Sequence, residues 1–222
     1  MRTLYHIWLS PACRITRVAL AEKNLEYELI LEKVWERRES FIAINPAGNV
    51  PVLSEPNGDV VSECMPICEY LEEVYNAPSL YGPTPLIRSE VRRLTCWFVL
   101  KFEDEVTRHI HGEKFVKRFL ERGEPDSVAM RAGLSNIRTH LDYIAYLVDR
   151  RRWLAGDEFS LADIAAASQL SVIDYLGDVP WDLCKGAKEW YARVKSRPSF
   201  RGILSDYIAG FPPPKNYADL DF

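Results

Sequence analysis

The feature that most constrains this chain is a change of period close to its start. Thr3-Leu4-Tyr5-His6-Ile7-Trp8-Leu9 is β-branched, aromatic and aliphatic, and it stops at Ser10-Pro11. From Pro11 the spacing turns helical, with Ile15, Val18, Ala19 and Glu22 in phase and Asn24 as a terminator. Tyr27, Leu29 and Leu31 then alternate with Glu26, Glu28 and Ile30 as a second strand. Strand, helix and strand in this order predict a right-handed crossover between parallel strands. The chain therefore opens as a small α/β layer whose working end is the turn Ser10-Pro11-Ala12-Cys13-Arg14.

Trp35 to Asn45 is polar and leads into the loop Asn45-Pro46-Ala47-Gly48-Asn49. Val50-Pro51-Val52-Leu53, the turn Glu55-Pro56-Asn57-Gly58 and Val60-Val61 read as a hairpin. Pro51 suits an edge strand, or a cis Val50-Pro51 bond that presents the Val50 amide and carbonyl to a ligand; spacing does not choose between them. Glu63 to Tyr75 carries Ile67, Leu71 and Val74 on one helical face.

Pro78, Gly82, Pro83 and Pro85 then mark a linker, and beyond them the strand pattern ends. Apolar residues at helical spacing predict one long helix over Leu86 to His111 and another through Leu134, Ile137, Leu141, Ile144 and Leu147. Ile164, Ala167, Leu170 and Ile173 mark a third, and Trp190, Tyr191 and Val194 a fourth before Arg197-Pro198. Ser160 and Asp163 form a capping box ahead of the third helix, with Phe159 and Ile164 as its hydrophobic staple. Removing the Ser160 cap would cost about 1 kcal/mol. The organisation read from the sequence is an α/β domain over 1–77, a linker over 78–85, an all-helical domain over 86–209 and an extended tail over 210–222.

The formal net charge of −4 gives no reason to expect nucleic acid or an anionic membrane as a partner. The apolar runs fall far short of the roughly 18 residues that suggest a membrane span. Five cysteines, Cys13, Cys64, Cys68, Cys96 and Cys184, have no disulfide-framework spacing and no secretory leader precedes them, which points to reduced thiols in a cytoplasm. His109 and His111 fall on different helix faces, and Cys64 and Cys68 share a face without a second ligand pair, so no metal site is expected.

Ser10-Pro-x-Cys13 after a strand, Asn45-Pro-x-Gly-x-Val-Pro-Val-Leu53, Glu63 opening the next helix, and Trp153-Leu-Ala-Gly156 ahead of Ser160-Leu-Ala-Asp-Ile164 resemble, in order and spacing, the cytosolic glutathione S-transferase family. The likeness covers nearly the whole chain. It implies a thioredoxin-like N-terminal domain, an all-α C-terminal domain and a homodimer. A narrower likeness, in Trp35-Glu-Arg-Arg38, Leu176-Gly-Asp-Val-Pro-Trp181 and Tyr217-Ala-Asp-Leu-Asp-Phe222, is to bacterial FzlA-type division proteins, transferase-like chains that bind filaments of the tubulin homologue FtsZ.

The family resemblance implies that Ser10 would donate a hydrogen bond to a substrate sulfur, or that Cys13 would form a mixed disulfide with it. Amides and the positive dipole end at a helix N-terminus favour the thiolate such chemistry needs. Read without the resemblance, Ser10 is an N-cap and Cys13 a small helix residue. By resemblance, Val50 with a cis Pro51 would pair with the glutathione backbone, and Glu63 with Cys64 would hold its γ-glutamyl end. Cys64 stands where the family usually has a hydroxyl, and a thiol is a weak donor. Pro66 also removes one amide from the first turn of that helix. Both changes weaken glutathione as a ligand, and no cofactor is required.

The FzlA-type resemblance implies a non-catalytic regulator acting at the division site, binding filaments through a surface near Trp35 and Arg38 or on the helical domain, together with the terminal Asp219, Leu220, Asp221 and Phe222. Exposed beside Arg38, Trp35 would form an aromatic-plus-arginine patch of the kind enriched at interfaces; alternatively it packs locally. The tail is either a free peptide suited to a partner's groove or a segment packed on its own domain through Tyr217, Leu220 and Phe222. The competing function is an active glutathione transferase or thiol reductase working through Ser10 or Cys13.

Overall fold

The computed structural model describes residues 1–220 and divides the chain into two compact units, Met1–Leu80 and Tyr81–Phe222. In the first unit the period change becomes β1 (Thr3–His6), α1 (Pro11–Glu22) and β2 (Glu28–Leu31), with β1 and β2 parallel from Thr3 opposite Glu28 to His6 opposite Leu31. A short 3₁₀ turn at Val34–Glu36 and α2 (Glu39–Ile42) come next. The hairpin β3 (Val52–Ser54) and β4 (Val60–Ser62) then leads into α3 (Cys64–Val74). Strand order is β2-β1-β3-β4, with β3 antiparallel to both its neighbours. This is the thioredoxin-like layer predicted from the sequence, and α2 is an addition that the polar segment concealed.

The core of this unit lies between the sheet and the helices. Leu4, Ile15, Val18, Val52, Leu53, Ile67 and Leu71 are fully enclosed. A buried ion pair, invisible to periodicity, closes its far end. Lys23 Nζ donates to Glu72 Oε2 at 3.0 Å, to the Tyr75 carbonyl at 2.6 Å and to the Pro78 carbonyl at 3.0 Å. Glu72 also accepts from the Leu80 amide at 3.0 Å, so neither charge is left unsatisfied in the interior.

The second unit is helical throughout. α4 starts at Pro85–Cys96 and runs on through wide π turns at Trp97–Thr107, an α turn at Arg108–His111, further π turns at Gly112–Val116 and a last turn at Lys117–Phe119. It is therefore longer than the Leu86 to His111 that the apolar spacing predicts. The wide turns free backbone carbonyls, and Asn136 Nδ2 takes up that of Glu105 at 2.9 Å. α5 (Ser127–Val148), α6 (Leu161–Tyr175), α7 (Lys185–Lys195) and α8 (Pro198–Leu204) complete the unit. α8 is hidden in the sequence because Pro198 looks like a stop after α7. It is instead the first residue of a new helix, where its missing N–H costs nothing.

Every residue of α6 is buried, so its N-terminus must be satisfied internally. The predicted capping box does this and more. The Asp163 carboxylate accepts from the Ser160 amide at 3.2 Å, the Leu154 amide at 3.0 Å and Trp190 Nε1 at 2.9 Å. One side chain thus ties the Trp153-Leu154 turn, α6 and α7 together. Burial outweighs these donors and pushes its carboxyl up to about 6. Replacing Asp163 with Ala strands three buried donors and should destabilise the protein by about 2–4 kcal/mol. Urea unfolding should show that loss, while the exposed Asp157→Ala should stay within about 0.5 kcal/mol of the parent.

Candidate functional site

The turn after β1 is built as the sequence predicts. Leu9 takes φ 56°, reversing the chain, and Ser10 caps α1, its hydroxyl accepting from the Cys13 amide at 3.3 Å. Pro11 supplies the first helical φ. Ser10 is half-buried, so its hydroxyl serves the cap while facing partly outward. Cys13 is 1% exposed, and burial pushes its thiol up to about 11 despite the opposing hydrogen bonds from Ser10 and the Ile7 backbone.

The second half of the site comes from the hairpin and the start of α3. Val50-Pro51 is cis, and the Pro51 carbonyl accepts from the Glu63 amide at 3.0 Å. Glu63 sits at φ 73°, exposed at the entrance to α3. Asn45 and Asn49, which read from the sequence only as loop residues, form a polar brace beneath it. Asn45 Nδ2 donates to the Asn49 carbonyl at 2.9 Å, and Asn49 Nδ2 donates to Glu63 Oε1 at 2.6 Å. The available signal was the Asx turn: the Ala47 amide donates to Asn45 Oδ1 at 3.3 Å. Gly48, between them, holds φ +70°, and a Cβ there would lie 2.9 Å from Ile42 Cδ1.

Cys64 is 5% exposed, and burial pushes its thiol up to about 12. Cys68 is buried too and pushed well up for the same reason. Ser10, Cys13, Val50, Pro51, Glu63 and Cys64 thus all belong to the first unit, on the turn after β1, the approach to β3 and the entrance to α3. What the fold places at this site is a capping hydroxyl, an exposed carboxylate and neutral thiols shielded from water. A protonated thiol is a poor nucleophile.

The other candidates lie apart in the chain. Trp35, on the turn after β2, is 40% exposed. Arg38 pairs with the buried Glu32 and donates to Ser40 Oγ at 2.7 Å, which fixes it close to the Trp35 turn. The tail departs from the extended, free peptide. Tyr217 N–H donates to the Pro214 carbonyl at 3.0 Å and Asp219 N–H to the Asn216 carbonyl at 3.1 Å, so the segment turns on itself. Tyr217 is buried edge-on to Tyr175, with ring centroids 5.1 Å apart, and Tyr175 Oη donates to the Phe211 carbonyl at 2.8 Å. Two tyrosines therefore bind the tail to α6. Leu220 is not one of its anchors, being 38% exposed beside an exposed Asp219. Asp221 and Phe222 lie outside the described residues.

A family model described as the glutathione S-transferase N-terminal domain matches residues 9–74, and its C-terminal counterpart matches residues 127–193. FtsZ-localized protein A of Caulobacter vibrioides is 47% identical over 224 aligned residues, covering 100% of this chain and 98% of that one. The chain belongs to the glutathione S-transferase family. Among solved structures, a glutathione S-transferase from Rhodospirillum rubrum F11 superposes with a TM-score of 0.98 at 58% identity over 100% of both chains. FzlA from C. crescentus superposes with a TM-score of 0.97 at 47% identity, over 100% of this chain and 99% of that one. Within this family fold the cysteines are all free thiols, and only Cys96 is exposed. Alkylation of the native protein at neutral pH should therefore modify Cys96 alone, and denaturation should release the other four; rapid labelling of Cys13 in the native protein would contradict the shielding described.

Proposed function

We propose that this protein is a transferase-like regulator that binds FtsZ filaments at the division site, working as a homodimer in the cytoplasm. The observation that carries this reading is the full-length, 47% likeness to FtsZ-localized protein A, a relative whose name records that location. Two features of the chain support it. The thiols at the turn after β1 and at the entrance to α3 are held neutral by burial, which suits a site that no longer activates sulfur. Trp35 is partly exposed on its short turn, and Arg38, three residues on, is exposed and held by Glu32, so an aromatic group and an arginine lie close together in the chain. No helix among the described residues is long and apolar enough to cross a membrane.

Glutathione chemistry is the second reading. It is favoured by the cis Val50-Pro51 bond, the Ser10 hydroxyl at the α1 N-terminus and the exposed Glu63. Isothermal titration with glutathione separates the two readings, since binding together with conjugating activity would restore the enzyme.

The direct test of filament binding is co-sedimentation with FtsZ polymer. The full chain should pellet with polymer, and Trp35→Ala should weaken that binding by about tenfold or more, as loss of an aromatic hot spot does. The tail is best tested with a chain ending at Ala218, which keeps the buried Tyr217 and removes Asp219 to Phe222. Unchanged pelleting of that chain would remove the last four residues from the binding surface. Failure of the full chain to pellet would remove the function.

A further inference from the structure

The sheet order leaves β2 at an edge, a short one of four residues with the charged, exposed Glu28 at its start. The Glu28 amide donates to the Arg2 carbonyl and the Glu32 amide to the His6 carbonyl, both at 2.9 Å. Alternation along a parallel pair then turns the amides and carbonyls of Leu29 and Leu31 away from β1. Their side of the strand carries no further strand in this sheet. The strand itself, Glu-Leu-Ile-Leu, contains neither proline nor lysine and shows no bulge in its pairing. Leu29 and Ile30 are only half-buried, and Leu31 is 46% exposed.

Both ends of this edge continue into surface that would accept side chains. Beyond Leu31 the chain turns directly into Trp35, so two large exposed apolar groups lie within five residues at the C-terminal end. Before Glu28, a shallow cleft of about 670 Å³ is lined by Met1, Ala21, Asn24, Leu25, Glu26 and Tyr27. The charges after β2 are mostly neutralised, Lys33 by Glu36 at 3.1 Å and Arg38 by Glu32. Arg37, exposed on a left-handed turn at φ 46°, takes part in none of the ion pairs among the described residues. It is a cation available to an incoming carboxylate.

We infer that the outer edge of β2 docks an extended segment of the filament partner as a fifth strand, with apolar residues against Leu31 and Trp35 and an acidic residue toward Arg37. This rests on the filament-binding reading and names its mode of recognition. An open ladder of main-chain groups selects an extended backbone, because only that conformation matches its spacing, while flanking pockets select the side chains. A helical partner would leave the Leu29 and Leu31 amides unpaired. The mode also gives Trp35 its place, as the anchor at the end of an added strand.

The test is amide exchange in the full chain with and without FtsZ polymer, quenched and read residue by residue. The Leu29 and Leu31 amides should slow by about tenfold or more when polymer is added, as paired edge amides do. The Glu28 and Ile30 amides, which face β1, should not change in parallel. A lysine at the exposed Leu31 position, L31K, should weaken pelleting by about tenfold while leaving the thermal midpoint unchanged. Pelleting with unaltered Leu29 and Leu31 exchange would overturn the strand-addition mode and leave filament binding intact. Protection that grows with protein concentration in the absence of polymer would overturn it as well, by assigning the edge to a second copy. Loss of pelleting by the parent chain would instead remove the filament reading itself.

Discussion

The first unit depends on the crossover that lays β2 parallel to β1. It places β1 inside the sheet, between β2 and β3, so that a single four-residue strand carries hydrogen bonds on both sides. The same connection forces a sharp turn after β1, where Leu9 at positive φ and Ser10 as a cap start α1 in the space available. It also leaves β2 outermost. The capped turn and the open edge are two consequences of one topological choice, at opposite sides of the same strand pair.

Chemistry and surface divide along that line. The turn side has the form of a thiol-handling site, yet Cys13 and Cys64 are enclosed and their thiols are pushed up to about 11 and about 12 by loss of water. The helix dipole and nearby hydrogen bonds work in the opposite direction and do not overcome burial. Glu63 is held by Asn49, which is in turn held by Asn45, so the carboxylate has a fixed position. On the β2 side the buried Glu32 is taken up by Arg38. That side offers main-chain groups, Leu31, Trp35 and an arginine, which are the elements of a docking surface.

Much of this was legible in the sequence because it depends on local period and on a few residues with one structural use. The change from alternating to helical spacing at Ser10-Pro11 defined β1 and α1. The Ser160/Asp163 pair, with its staple, marked the start of α6 to the residue. What escaped was of a different kind. The Asn45–Asn49–Glu63 brace and the buried Lys23–Glu72 pair join residues far apart in sequence, and no spacing reports such contacts. α8 was masked by Pro198, because a proline that stops one helix and a proline that starts the next look alike. The tail stayed open between free and packed, because three prolines favour an extended start while its aromatic residues offer anchors. Tyr217 shows that one aromatic residue meeting Tyr175 is enough to bind such a segment to the domain.

In the mode of recognition proposed for this family fold, the partner meets the β2 edge and the Trp35 turn, and sulfur chemistry plays no part. Electron cryomicroscopy of FtsZ filaments decorated with the full chain measures this most directly. Decorated filaments are expected, with density from the filament continuing onto the outer edge of β2 beside Trp35. Bare filaments, or decoration with that edge facing solvent, would contradict it.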